Sequence, residues 1–326
     1  MALTPKNEAH GFQIEAGTVG RKRGHAFERE LAATINTIAL SCIPERQLSH
    51  LETGNPALLL LGYISQSLGL KILKVKAYWL GGLATAHGGD ELLDENGNQI
   101  TKCKSDILLD VITKTGIQQI GVSVKTCNKR TPTNDQMFFT TTRAFCQLLI
   151  QNGIPCSEEA IKAMSMFCGD VGFRPIDTMT KSELLQRVSD PNRFYWEELS
   201  AAARNEWEKI FKNYQDKITL LLFQKAYKDD PYPPDLLLRQ TVQYSSFDSC
   251  QVALFTMSEI VSLSRKHSGY MLSPYIIRKG TYKNDSATHC APRFGFIQFQ
   301  RGGQKQHPTQ LQFNLKAGYF NHLPTE

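Results

Sequence analysis

Asp106 and Lys125 stand near the two ends of one stretch, KSDILLDVITKTGIQQIGVSVK, running from Lys104 to Lys125. The stretch reads as two apolar strands joined by a tight turn near Lys114-Thr115-Gly116. Apolar side chains would cost less at both positions, so an acid and a base kept there point to chemistry. A two-residue loop pairs residues whose numbers sum to 229 or 231, which sets Asp106 opposite Ser123 or Lys125. Strand side chains alternate with period two, so Asp106, Ser123 and Lys125 share one face. A carboxylate there can ligate a hard cation such as Mg²⁺, which takes oxygen donors and needs only one or two carboxylates. Lys125 can hold or deprotonate an attacking water and stabilise developing charge. The unreactive alternative is a cross-strand ion pair on a half-exposed sheet.

A second acid comes from a helix far upstream. In RGHAFERELAATINTIAL, Phe27, Leu31, Ile35 and Ile38 recur at helical spacing, which predicts a helix over 24–40. Glu28 falls on the apolar side with positions 31, 32 and 35, whereas Glu30 points away with Thr34 and Thr37. A carboxylate on a buried stripe is costly unless it meets a cation, a metal or hydrogen-bond donors. Glu28 is therefore a second candidate ligand, directly or through a water.

The elements that must position these residues follow in order. A second helix is expected over 55–68, and 71–80 alternates as a strand with Lys74 and Lys76 on one side. A glycine-rich loop follows, then a tight turn at Asn96-Gly97 whose acids Asp94 and Glu95 read as solvated turn residues. After Lys125 a polar segment leads to a helix expected over 138–151, and Ser157 is the expected N-cap of the next one. The span 181–224 is helical in pattern, and 229–234 is expected to close it as a stiff, exposed proline loop. Beyond it the pattern is short strands, with one helical piece near 256–264. These elements imply an α/β fold with a central mixed β-sheet flanked by helices, a helical insertion and a C-terminal β-rich region. The expected domains are a core over 1–170, a helical subdomain over 171–235, and C-terminal strands over 236–326 that complete the core.

Composition sets limits. The 326 residues are 41% hydrophobic and 21% charged, as in a soluble globular protein. No apolar run is long enough to span a bilayer and no signal pattern opens the chain, so a cytoplasmic protein without membrane partners is expected. The eight cysteines lack CxxC pairs, as expected of reduced thiols. No GxxxxGK[ST], GxGxxG or GxSxG occurs, which argues against nucleotide cofactors and the serine-hydrolase elbow. His289-Cys290 lacks partners at zinc-ligand spacing. The net charge is +6. From Arg265 onward nine Lys/Arg face only Asp285 and Glu326, as a phosphate-facing surface would.

Glu28 on a helix, Asp106 on one strand and Ser123-Val124-Lys125 on the next resemble the PD-(D/E)xK nuclease superfamily, and in particular its type II restriction endonucleases. The residues that carry the resemblance are the helix GHAFERELA, the aspartate of KSDI and the strand VSVK, within the first 150 residues. Ser123 stands where the motif usually has an acid, and Ser105 stands in place of proline. The resemblance implies Mg²⁺-dependent, sequence-specific cleavage of both strands of double-stranded DNA, leaving 5′-phosphates, by a homodimer in a restriction system. It makes Asp106, Lys125, Glu28 and Ser123 the catalytic group. It also makes Asp106, Glu28 and the Val124 carbonyl the ligands of one or two Mg²⁺ per site. Alternatives are a repair or junction-resolving nuclease on the same core, or a DNA-binding protein with a decayed nuclease site.

DNA contacts are then sought in two places. In RFGFIQFQRGGQKQHPTQLQFNL one strand is expected through Phe294, Phe296, Ile297 and Phe299, and its return through Leu311, Phe313 and Leu315. Gln298, Gln300 and Gln312 occupy the other face, and Arg301, Gln304 and Lys305 the connecting loop. Glutamine and arginine suit bidentate contacts with adenine and guanine in the major groove, which a β-ribbon can enter. Arg278, Lys279, Lys283 and Arg293 suit phosphates. Asn128, Lys129, Arg130, Asn134 and Gln136, after Lys125, would lie beside the scissile phosphate.

Overall fold

In the computed structural model, residues 8–69, 71–83, 88–94, 96–127, 130, 134–186, 191–192, 194–225, 230–267, 270–276, 288–301 and 310–315 are described. They divide into two compact units, each built on its own sheet.

The first unit takes the described residues up to Asp135 and then Phe223–Ile260. Its helix α1 spans Glu8–Thr37, starting well before the expected residue 24. The apolar stripe marks only the packed half: Phe27, Glu28, Leu31, Ala32 and Ile35 are buried, while Val19 and residues 21–23 are exposed. Glu30 is exposed, as its position implied. Strand β1 is Leu51–Gly54. Helix α2, Pro56–Leu68, starts where the Asn55 side chain accepts from the Ala57 and Leu58 N–H groups, and it stops at Gly69 in the left-handed region. Strands β2 (Lys74–Trp79), β3 (Ile107–Thr113) and β4 (Gly116–Lys125) form a meander. The turn at Asp94–Asn98 forms as expected, with the Asp94 carboxylate capping the Asn96 and Asn98 N–H groups.

The hairpin has the first of the two anticipated registers, with paired numbers summing to 229. Thr113 faces Gly116 across a two-residue turn, and Ile107 faces Val122. No described non-glycine residue has positive φ, so Gly116, at φ 128°, takes the backbone twist that Lys114 and Thr115 avoid. Ile107, Leu109, Val111, Ile120, Val122 and Val124 point to one face and meet Phe27, Leu31 and Ile35 of α1 in the core. The opposite face carries Ser123 and Lys125, with Asp106 just ahead of β3.

Past Lys125 the structure departs from expectation. Residues 138–141, expected to be helical, belong to strand β5 (Asp135–Thr141), as befits a run of aromatic and β-branched side chains. Thr141 then caps α3 (Thr142–Gln151). Ser157 caps α4 (Glu158–Cys168) as expected. The helices α5 (Pro175–Thr178), α6 (Lys181–Gln186), α7 (Ala201–Asn213) and α8 (Gln215–Gln224) follow. The proline loop is not simply exposed. Asp230 and Pro234 are buried, and Ser105 Oγ donates to the Tyr232 carbonyl at 2.8 Å.

Strands β6 (Leu236–Gln240) and β7 (Cys250–Thr256) complete the first sheet, in the order β1-β7-β6-β4-β3-β2. The pair β4–β6 is parallel and the others are antiparallel, so the sheet is mixed. Helix α9 is Met257–Lys266.

The second unit holds Gln136–Leu222 and Val261 onward. Its strands β8 (Tyr270–Ile276), β9 (Thr288–Phe294), β10 (Ile297–Arg301) and β11 (Gln310–Leu315) pair with β5 in the order β5-β11-β10-β9-β8. The domain boundaries expected at 170 and 235 are therefore not where the chain divides. Strand pairing joins β5 to the C-terminal strands, and only β6 and β7 complete the core sheet. Phe294 and Ile297 do not share a strand either. They face each other across a turn at Gly295, whose φ is 51°. Aromatic rings fill this unit: Phe211 stacks on Phe294 at 4.7 Å, and Phe145 lies 4.8 Å from Phe313.

Gly121 offers a test of the first unit. A Cβ there would collide with Ser105 Oγ and stand 2.5 Å from the Pro233 carbonyl oxygen. Gly121→Ala is expected to cost ~1–3 kcal/mol, seen as a lower urea midpoint with unchanged m. An unshifted midpoint would show that the proline loop is not packed here.

Candidate active site

Asp106 is held at both ends before its carboxylate does anything. Its N–H donates to the Val122 carbonyl at 2.9 Å, and its carbonyl accepts from Leu80 N at 2.9 Å and Gly81 N at 3.0 Å. Oδ2 accepts from the Val124 N–H at 2.6 Å and from Ser123 Oγ at 3.3 Å. Lys125 Nζ lies 3.5 Å from the same oxygen. The ammonium also donates to Ser123 Oγ at 3.2 Å and to the Val124 carbonyl at 3.0 Å. The residues anticipated from the hairpin therefore meet at one point, and Ser123 bridges acid and base.

Glu28 reaches the site from α1. It is only 6% exposed, and its Oε2 accepts from Trp79 Nε1–H at 3.0 Å. Burial pushes its carboxyl up to about 8 and the charge of Asp106 adds to the rise, while the Trp79 hydrogen bond and Lys125 oppose it. One glycine keeps space around it and a second lies in ordinary contact with it. A Cβ at Gly81 would collide with Glu28 Oε2, and one at Gly24 would stand 3.8 Å from both Glu28 Oε1 and Thr126 Oγ1.

Several contributors were not legible in the sequence. Trp79 ends β2, and its ring lies beneath the Arg29 guanidinium at 4.6 Å and beside the His25 ring at 5.8 Å. Lys104 is a second lysine beside the site: burial, then the neighbouring Lys125 charge, pulls it down to about 7 against the influence of Asp106 and Asp230. Its place two residues before Asp106 was the available signal. Behind Lys125, Arg239 occupies the paired position on β6 and forms a fully buried ion pair with Asp135. Burial raises the Asp135 carboxyl, and the positive charges of Arg239 and Lys125 lower it. Gln240 donates to the Cys127 carbonyl at 2.8 Å. Thus Arg239 and Gln240 pin both ends of the segment that carries Arg130 and Asn134.

The oxygens here suit Mg²⁺. They comprise two carboxylates, a main-chain carbonyl and a hydroxyl, three of which already gather the Lys125 ammonium. Among the described residues no group of three or more His, Cys, Asp or Glu could hold a metal ion.

Of the residues expected to contact DNA, Arg130 and Asn134 are exposed in the first unit and Gln136 is exposed on β5. Arg293, partly exposed on β9, donates to Met271 Sδ at 3.1 Å. Gln298 and Gln312 are partly exposed, and their neighbours Ile297, Phe299, Leu311 and Phe313 are buried, as alternation required. Gln300 and Arg301 pair along the backbone with Gln312 and Leu311. Asn128, Lys129, Arg278, Lys279, Lys283, Gln304 and Lys305 lie outside the described residues.

No profile of a known protein family matches this chain, and no curated protein matches it. No helix among the described residues is long and apolar enough to cross a membrane.

The raised carboxyl of Glu28 sets a sign for stability. Below pH 4.5 the group is protonated in both the folded and the unfolded chain. Between 4.5 and about 8 only the unfolded chain releases the proton, so this group lowers stability as pH rises. In metal-free buffer, Glu28→Gln is expected to gain stability over the unsubstituted chain across that window, by at most ~1.4 kcal/mol per pH unit. Urea denaturation at pH 5 and pH 8 measures it, and equal differences at the two pH values would refute the shift.

Proposed function

We propose that the protein is a Mg²⁺-dependent endodeoxyribonuclease of the type II restriction kind, cutting double-stranded DNA at a specific sequence and leaving 5′-phosphates. The observation that carries this reading is the meeting of Glu28, Asp106 and Lys125 where two interior strands of a mixed sheet begin and end, through elements far apart in the chain. Asp106, Glu28 and the Val124 carbonyl would hold the cation. Bound there, Mg²⁺ supplies charge neutralisation at the scissile phosphate and a more acidic water.

The chain's own groups do the rest. Asp106 is kept in place by the Val124 N–H and Ser123 Oγ. Lys125, tethered by Ser123 and the Val124 carbonyl, orients the attacking water and stabilises the negative charge that builds on the phosphoryl oxygens. Glu28 gives up its proton when a cation arrives, so cation uptake carries a proton cost below pH 8. Assembly as a homodimer and specific reading by the β10–β11 ribbon belong to the same proposal.

Ser123 favours a second reading, a DNA-binding protein without cleavage, because a hydroxyl attracts a divalent cation less than a carboxylate does. Plasmid digestion with and without Mg²⁺ separates the two. Discrete fragments only with Mg²⁺ are expected, and Lys125→Ala should slow cutting by at least ~100-fold while DNA binding persists. Binding without cleavage at any Mg²⁺ concentration would support the second reading. A further check is calorimetry of Mg²⁺ uptake: affinity should rise with pH up to about 8, with a proton released on binding. Uptake independent of pH would remove Glu28 from the ligand set.

A further inference from the structure

The N-terminal extension of α1 carries a basic run, Arg21-Lys22-Arg23, directly ahead of Gly24. All three side chains are exposed, and among the described residues none of them forms an ion pair. Such a run is most often a solvated face. Its placement here argues for more.

Arg21 lies seven residues before Glu28, two turns along one stripe of the helix and ~10.5 Å along its axis. Only Gly24 and His25 stand on that stripe between them. Gly24 presents bare main chain: a Cβ there would be 3.8 Å from Glu28 Oε1. His25 is buried. Lys22 stands in the same relation to Arg29, whose guanidinium covers the Trp79 ring that holds Glu28. Cations 21, 22 and 29 therefore line one flank of the helix, next to the carboxylates but not neutralised by them. Glu30, the acid on this stretch that avoids the site, lies on the opposite side, near Tyr244 and Cys250. Arg23 also falls on that far side. On the flank of 21, 22 and 29 the helix carries one exposed acid, Glu15, seven residues before Lys22 and, among the described residues, in no ion pair with these cations. Three cations against one acid attract an extended polyanion rather than a small cation.

We propose that Arg21, Lys22 and Arg29 form a track on α1 that binds backbone phosphates of duplex DNA flanking the scissile bond. The track rests on the nuclease reading and adds to it a phosphate-contact surface on the helix that supplies Glu28. Phosphate contacts position a duplex without reading its sequence, so the track acts alike on all sites.

The test is fluorescence anisotropy of the full chain with a short labelled duplex in EDTA, which prevents cutting, over a series of salt concentrations. Each phosphate contact removed lowers the magnitude of the slope of log K against log salt by roughly 0.9. Arg21→Ala and Lys22→Ala are each expected to show that loss and the double variant about twice it, whereas Arg23→Ala keeps the original slope. Arg29 is left intact because it also packs on Trp79. Matching thermal melts exclude misfolding as the cause. If the unsubstituted chain binds and cuts DNA but Arg21→Ala and Lys22→Ala keep its slope, the track is refuted and the nuclease reading stands. If the unsubstituted chain neither binds duplex nor cuts plasmid with Mg²⁺, the nuclease reading fails and the track falls with it.

Discussion

Two carboxylates close together, one buried and one partly exposed, repel each other, and much of the first unit is arranged around that cost. Asp106 is relieved by a main-chain N–H, a hydroxyl and an ammonium on one oxygen. Glu28 has the Trp79 N–H and little else to set against burial, and it holds its proton up to about 8. The imbalance leaves one acid far less supported than the other. Ser123 fits this arrangement. Its hydroxyl donates to Asp106 and accepts from Lys125. A carboxylate at 123 could not donate when ionised, and it would add repulsion next to Asp106.

The pocket also depends on atoms that are missing. Gly81 brings its N–H to the Asp106 carbonyl, and a side chain there would displace Glu28. Gly121 lets the strand carrying Ser123 and Lys125 lie against Ser105 and the proline loop. The stretch that carries Asp106, Ser123 and Lys125 is therefore shaped as much by close backbone approach as by its polar groups. The buried Arg239–Asp135 pair works similarly from behind, fixing the chain where it leaves β4.

The C-terminal strands show how strand pairing overrides chain order. Charge and composition made residues 236–326 look like one region, yet β6 and β7 belong to the sheet of the first unit and β8–β11 to another. The insertion of helices between β5 and β6 does not form a body of its own. It packs with the second sheet around Trp207, Phe211 and Phe299.

What the sequence determined by itself was local. The period-two alternation and the short turn put Asp106, Ser123 and Lys125 on one face, because a one-residue slip would have turned every apolar side chain outward. The structure then chose, of the two registers left open, the one that sets Asp106 against Ser123. The period of 3.6 placed Glu28 on the buried side of α1, and a side-chain cap marked the start of α4. The bare stripe understated α1, since helix continues where nothing needs burying. What tertiary structure alone decided was which distant groups meet. Trp79 joins Glu28 across 51 residues, and Arg239 joins Asp135 across 104. Periodicity and backbone sterics act over a few residues and can be read along the chain. The partner of a buried polar group is chosen by the packing of whole elements, and no short stretch of sequence contains that choice.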